Sequence, residues 1–358
     1  MNLDDRGRAS TRALLDSVSR VDAAAGLEDL ERRRRRRLVA KMATAMATAT
    51  VLVLVAWVVA RGPSPPTTVA QPAGSLGRVT ARIPVGAGPI DVLAAEGAVW
   101  VAKATQGTVS RIDPATNTVT QTTPVGRNPV RLAAGLGSIW VADQTGQTVS
   151  RLEARTGLLH RTIPVTGQLS PEDLAVGAGM LWVRSGNRLL SLDPATHTMT
   201  DRTGDWEVGG GGTAAVDGLL WLSGTTGRGA GQIVRVDPST SQVIDRFTTP
   251  GDGALAVGGD SVWQTGSTTQ TIYRYDPTSK RLLAEIPIGV VARHLTAGDG
   301  SLWVSSDSGR VTRIDMATNT VVGIFQASGR APGVAVGHGA VWIVDTANAA
   351  ILRIQPTA

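Results

Sequence analysis

The sequence predicts an all-β protein, seven four-stranded blades closed into a propeller and preceded by a single transmembrane helix. Three observations predict it. Seven Trp residues recur about 40 residues apart, a tight-turn motif recurs between them, and residues 42 to 60 carry no charge.

The Trp residues at 100, 140, 182, 221, 263, 303 and 342 are separated by 40, 42, 39, 42, 40 and 39 residues. A period of this length marks repeated supersecondary units. Each Trp lies in a short apolar segment such as Ile139-Trp140-Val141-Ala142. Gly stands three residues earlier in six units (Gly97, Gly137, Gly179, Gly218, Gly300 and Gly339), with Asp260 in the remaining one. Nine Trp against two Tyr and two Phe is a biased aromatic set. Its blade spacing assigns the seven periodic Trp to contacts between neighbouring blades rather than to a ligand cage.

After each Trp comes an alternating strand and then a turn, as in Thr108-Val-Ser-Arg-Ile followed by Asp113-Pro-Ala-Thr-Asn117. The turn recurs from Asp193, Asp237, Asp276 and Asp315, with Glu153-Ala-Arg-Thr as a variant. An Asp at the first position accepts backbone amides, and Pro at the second already has the φ of a type I turn. A second strand follows, then a Pro-x-x-Leu/Val-Ala segment such as Pro129-Val-Arg-Leu-Ala133. Four strands in about 40 residues with no helical stretch is the arithmetic of a propeller blade. The seventh unit stops at residues 353 to 358, where its fourth strand should begin. A spare strand, Gly77-Arg-Val-Thr-Ala-Arg-Ile-Pro-Val-Gly86, precedes the first. This strand is expected to complete the seventh blade and remove its open edge.

Four segments result: an Arg-rich tail at 1–37, a transmembrane helix at 38–60, a Pro-rich spacer at 61–76 and the propeller at 77–358. The uncharged run of 19 residues is just long enough to cross a hydrocarbon core of about 30 Å. Arg32 to Arg37 and Lys41 precede it, so the positive-inside rule puts the N-terminus in the cytoplasm and the propeller outside. Cleavage near Ala60, as of a signal peptide, is the alternative, and it exports the body equally. The tail either docks a cytoplasmic partner or only sets topology and touches anionic lipid.

The net charge of +6 divides evenly: residues 1–37 hold ten Arg against seven acids, and the rest holds 25 basic against 22 acidic groups. The body therefore lacks the basic footprint of a nucleic-acid-binding domain. The chain has no Cys and four His, which removes disulfides, thiolate metal sites and cysteine nucleophiles. No cofactor is evident. The run Gly209-Gly-Gly-Gly212 lacks the Lys-Ser/Thr of a phosphate loop and reads as a long flexible connection between blades three and four.

Val99-Trp-Val-Ala, the Thr108 to Val119 segment, Ile163-Pro-Val and Trp140-Val-Ala-Asp143 resemble the YVTN-type repeat of YncE-like exported bacterial β-propellers. The resemblance covers about residues 77 to 358. It implies a fold that serves as a binding or scaffold module of many kinds. A fainter similarity is to streptogramin B lyase-like propellers, which use a His and acidic metal ligands on one face; no stretch matches their catalytic motif.

Candidate site residues are those that differ between blades where the fold gathers them. Nine residues before each Trp stand Asp91, Arg131, Asp173, Gly212, Ala254, His294 and Gly333, and three residues after each stand Lys103, Asp143, Ser185, Gly224, Gly266, Ser306 and Asp345. Both sets are expected at one mouth of the central channel. Asp91, Lys103, Arg131, Asp143, Asp173, His294 and Asp345 then form a charged ring, with Gly212, Ala254 and Gly333 leaving space for a small ligand. His294 is the candidate acid or base. The expected function is non-enzymatic binding of a small ligand, envelope component or protein partner through one face. The alternatives are a metal-assisted lyase or hydrolase at the mouth and a transmembrane sensor.

Overall fold

The computed structural model describes residues 67–68 and 76–356, except 205, 207, 217 and 228. The Arg-rich tail, the expected transmembrane helix and most of the spacer lie outside the described residues. Among the described residues no helix is long and apolar enough to cross a membrane. Residues 66–358 form one compact unit.

That unit is a ring of seven antiparallel sheets. The innermost strands are Pro89–Ala95, Pro129–Gly135, Asp173–Gly177, Thr213–Val216, Leu255–Gly258, Ala292–Gly298 and Val334–Gly337, and each begins one blade. The second strand of each blade carries its Trp. Those second strands are buried along nearly their whole length, as in Ala98–Lys103 and Ser138–Asp143, because neighbouring blades cover both faces. The seven Trp are 0–3% exposed. Burial of a side chain that large contributes about 4–6 kcal/mol of transfer free energy.

The predicted closure is present. Gly77–Pro84 pairs antiparallel with Ala350–Pro356 as the outer strand of the seventh blade, in register Ile83 to Ile351 and Gly77 to Pro356. Ile83 and Val85 pack in one cluster with Val92, Val99 and Trp342, so the first and last blades share a core. Two residues of the spacer, Thr67–Thr68, add a short parallel strand to the edge of Leu282–Pro287, and Leu76 is buried against Trp303 and Val311. Those parts of the spacer belong to the propeller itself.

Six of the inner hairpins turn through a pair of left-handed residues, such as Glu96 (φ 52°) and Gly97 (φ 73°) or Asp299 (φ 50°) and Gly300 (φ 71°). Positive φ at both central positions fits the right-handed twist of the flanking strands, which explains the recurrent Gly. The Asp turns close as expected. The Asp113 Oδ1 accepts the Ala115 amide at 2.9 Å, and Asp193, Asp237, Asp276 and Asp315 repeat the bond.

The Trp column contains a device that periodicity alone does not reveal. A guanidinium from the third strand lies over six of the rings: Arg111 on Trp100, Arg151 on Trp140, Arg235 on Trp221, Arg274 on Trp263, Arg313 on Trp303 and Arg353 on Trp342, 4.9–5.7 Å from the centroids. Several reach further, into the turn of the next blade. Arg151 donates to Pro194 O at 2.7 Å, Arg235 to Pro277 O at 3.2 Å, Arg274 to Met316 O at 2.7 Å and Arg353 to Pro114 O at 2.9 Å. Each such Arg joins a ring in its own blade to a carbonyl in its neighbour.

Candidate functional site

The two residue sets named from the sequence do share one end of the propeller. The first strand of each blade starts there and the second ends there, so Pro89 faces Lys103 and Pro129 faces Asp143. Within that end the residues divide into two groups with different work.

Asp91, Arg131 and Asp173 meet across the first three blades. Arg131 pairs with Asp173 Oδ1 through Nε at 3.2 Å and with Asp91 Oδ1 through Nη1 at 3.6 Å. Each carboxylate also binds the next blade: Asp91 Oδ2 accepts the Leu132 amide at 2.8 Å, and Asp173 Oδ2 accepts the Thr213 amide at 2.7 Å. Burial pushes the Asp91 carboxyl above its ordinary range, against the pull of Arg131 and the Leu132 and Val92 amides. For Arg131, burial opposes the charge, but Asp91 and Asp173 outweigh it and hold the guanidinium above its usual value. Its side chain remains 25% exposed.

His294 belongs to this group electrostatically. Burial, then the charge of Arg131, lowers its pKa to about 3, although Asp173 and a hydrogen bond with the Val334 backbone pull the other way. The imidazole is therefore neutral at physiological pH, and its Nδ1 has no hydrogen-bond partner.

Lys103, Asp143 and Asp345 form the second group, each engaged in holding a loop. The Lys103 ammonium donates to Val85 O at 2.9 Å, and burial pulls its pKa below the ordinary lysine value. Asp143 accepts the Arg127 and Asn128 amides at 2.8 Å each and the Gly146 amide at 3.0 Å, fixing the loop that enters the second blade. A Cβ on Gly126 would come within 1.7 Å of Asp143 Oδ2, so no larger residue fits that loop. Asp345 pairs with Arg82 Nη1 at 2.6 Å and accepts from Asn348 Nδ2 at 2.8 Å.

At Gly212 and Gly333, two of the three small residues expected to leave space, the neighbouring inner strand occupies the place of a side chain. A Cβ on Gly212 would lie 2.4 Å from Leu255 N, and one on Gly333 would lie 3.1 Å from Val92 N. Where Asp91 and Asp173 bridge to the next blade through a carboxylate, these glycines let the next inner strand approach directly.

The Gly209–Gly212 connection, expected to be loose, is tied down by a residue that the sequence reading missed. The buried Arg184 donates to Gly212 O at 2.9 Å, Gly210 O at 3.0 Å, Val208 O at 3.1 Å and Gly186 O at 3.1 Å. Gly209 and Thr225 exchange backbone hydrogen bonds of 3.1 Å in both directions. Burial lowers the Arg184 pKa to about 10, with Asp173 and Glu172 opposing. One signal was available: Arg184 is a charge inside the apolar Leu181-Trp-Val segment, where other blades carry Ala, Ser, Thr or Val. Among the described residues no three His, Asp or Glu side chains converge as metal ligands.

No family model matches the chain, and no curated protein sequence does. Solved structures are similar to it. A chain of the hydrazine synthase of Kuenenia stuttgartiensis superposes with a TM-score of 0.64 at 12% identity, covering 79% of this chain and 99% of that one. The Pan2 WD40 domain of Neurospora crassa gives a TM-score of 0.61 at 12% identity, covering 76% and 90%. A chain of a Mitotic Checkpoint Complex gives 0.64 at 12% identity, covering 83% and 96%. At this identity the likeness establishes the fold, a β-propeller.

Proposed function

We propose that the protein is a membrane-anchored, extracytoplasmic propeller of the YVTN type that recognises an envelope component or a protein partner with its channel-mouth face. The observation that carries this reading is Arg131, held between Asp91 and Asp173 yet one quarter exposed. It occupies a position where three other blades carry Gly or Ala. A preorganised, partly exposed charge set on a rigid scaffold suits recognition. Closure of the gaps at Gly212 and Gly333 favours a partner laid across the mouth over a small ligand within it. One structural neighbour comes from a multiprotein complex, in keeping with a protein-binding face. The lyase or hydrolase alternative rests on His294, and a pKa near 3 leaves that imidazole a weak general base at neutral pH. Residues 38–60 serve as the anchor, with the tail at 1–37 in the cytoplasm and free to meet a partner there.

The test places a photo-crosslinking residue at Arg127, on the rim of the mouth, in the full chain in native membranes. A discrete adduct that is lost in Arg131→Ala but kept in Arg281→Ala, at the opposite end of the propeller, supports the reading. An adduct equally strong in both variants, or none, overturns it. Protease added outside intact cells should remove the propeller and spare residues 1–37.

A further inference from the structure

Departures from the repeat converge on one corner of the second blade, at the end opposite the charged mouth. Its outer turn runs Glu153-Ala-Arg155-Thr-Gly157-Leu158-Leu159. Arg155 stands where five other turns have Ala, Ser or Thr, and Leu158 where they have Thr, Gln or Arg. Leu158 is 55% exposed and Leu159 43%. The inner hairpin of the same blade adds Leu136, 41% exposed at φ 57°. A left-handed conformation costs an ordinary side chain about 1–2 kcal/mol. The turn keeps an exposed leucine there, and local stability does not explain the choice.

Charge surrounds these leucines. Arg161 forms no ion pair among the described residues, and its closest polar contact is His197 Nδ1 at 3.5 Å. On the other side of that ring, His197 Nε2 lies 3.2 Å from Arg151 Nη1. A neutral imidazole accepts at one nitrogen only, so with Nε2 accepting from Arg151 the Nδ1–H and Arg161 present donors to each other. An anion between them would satisfy both. His160 stacks near His197, with ring centroids 5.7 Å apart. Arg155 is almost fully exposed and only loosely paired with Glu153, at 3.8 Å. The chain also joins the propeller at this end, since Gly77 pairs with Pro356 beside the hairpin end of the seventh blade.

We infer that this corner, Leu136, Leu158 and Leu159 with Arg155, His160 and Arg161, is a docking surface for anionic phospholipid: the leucines insert among headgroups while the basic groups bind phosphate. Exposed aliphatic residues beside cations are the composition of interfacial membrane binding. The inference rests on the anchored reading above for its choice of lipid over another anion. An anchor 16 residues before Gly77 makes even weak docking effective, because attachment keeps the lipid at high local concentration.

Because the chain has no Cys, single labels can be placed cleanly. Full-length Leu158→Cys and, at the opposite end, Val291→Cys are labelled with an environment-sensitive dye and reconstituted in vesicles of pure phosphatidylcholine or with phosphatidylglycerol added. The expected result is several-fold protection of the dye at 158 from iodide, with none at 291, only in the anionic vesicles. Adding Arg155→Glu and Arg161→Glu should abolish it. Equal quenching at 158 and 291 in anionic vesicles overturns the proposal, as does equal protection in neutral ones or protection only in native envelopes containing protein. A chain that fails to float with neutral vesicles refutes the anchor alone; flotation that then depends on phosphatidylglycerol supports the corner, and its absence overturns the corner as well.

Discussion

The Arg353 guanidinium lies 5.3 Å from the centroid of the Trp342 ring and donates to Pro114 O at 2.9 Å, so the last blade holds the turn of the first. The same Nη1 reaches Asn117 Oδ1 at 3.0 Å. Together with the Gly77–Pro84 strand, this bond closes the ring. Arg353→Ala removes a cation–π contact and two charge-assisted bonds across the closure, costing about 2–3 kcal/mol. For a domain of this size that lowers the thermal midpoint by roughly 3–5 °C. Arg111 lies over Trp100 in the same way but donates to Thr120 within its own blade, so Arg111→Ala should cost clearly less. Equal losses in the two variants would refute the role given to the inter-blade bond.

The fold was legible because blade architecture repeats, and repetition writes itself into one chain seven times. The Trp spacing, the Asp-Pro turns and the unpaired strand at 77–84 each state a local need that recurs. The Trp–Arg pairing was equally periodic, two residues before each turn acid in five blades, but Arg in a strand reads as an exposed residue until its partner ring is known. The candidate site was legible only in part. Sequence register places Asp143 and Asp345 at the correct end, but whether a carboxylate faces the channel or a loop depends on amides contributed by non-periodic segments such as Arg127 and Asn128. The glycines at 212 and 333 show the same limit, since an absent side chain can open a gap or let a neighbouring strand fill it.

Arg184 should control the order of the connection between blades three and four. Its bonds to the Gly212, Gly210 and Val208 carbonyls have no replacement in Arg184→Met, which leaves those acceptors unsatisfied at a cost of about 3–5 kcal/mol. Hydrogen exchange would resolve where this appears. Amides from Gly209 to Thr213 and Thr225 are expected to lose protection well before those of blades one and seven. Uniform loss around the ring would show instead that Arg184 supports only global stability.

Asp91→Asn isolates the effect of a buried carboxylate. With its folded pKa raised above 3.8, Asp91 binds a proton more readily folded than unfolded, so its charge weakens the fold above that window and the penalty fades as pH falls through it. The amide keeps an oxygen for the Leu132 N–H. The difference in midpoint, variant minus parent, should therefore be most favourable to the variant near pH 7 and decline as the solution is acidified toward pH 4. A difference independent of pH would mean that Asp91 contributes through shape alone.

His294 predicts the opposite slope. Burial and Arg131 lower its pKa from 6.5 to about 3, so the unfolded chain takes up a proton that the folded one refuses. Its share of stability is present above pH 6.5 and is lost as pH falls from there toward 3, roughly 2–3 kcal/mol by pH 4. The turn acids Asp113, Asp193, Asp237 and Asp276, whose carboxyls are held below the usual range chiefly by hydrogen bonds to their own turns, also lose stability in acid, at lower pH. Comparison with His294→Gln removes their contribution. The parent and the variant should run parallel above pH 7, then separate between pH 6.5 and 4 as the parent falls away faster. Parallel curves throughout would place the His294 imidazole in open solvent, and the channel mouth would then lack the low-dielectric environment that its charge set requires.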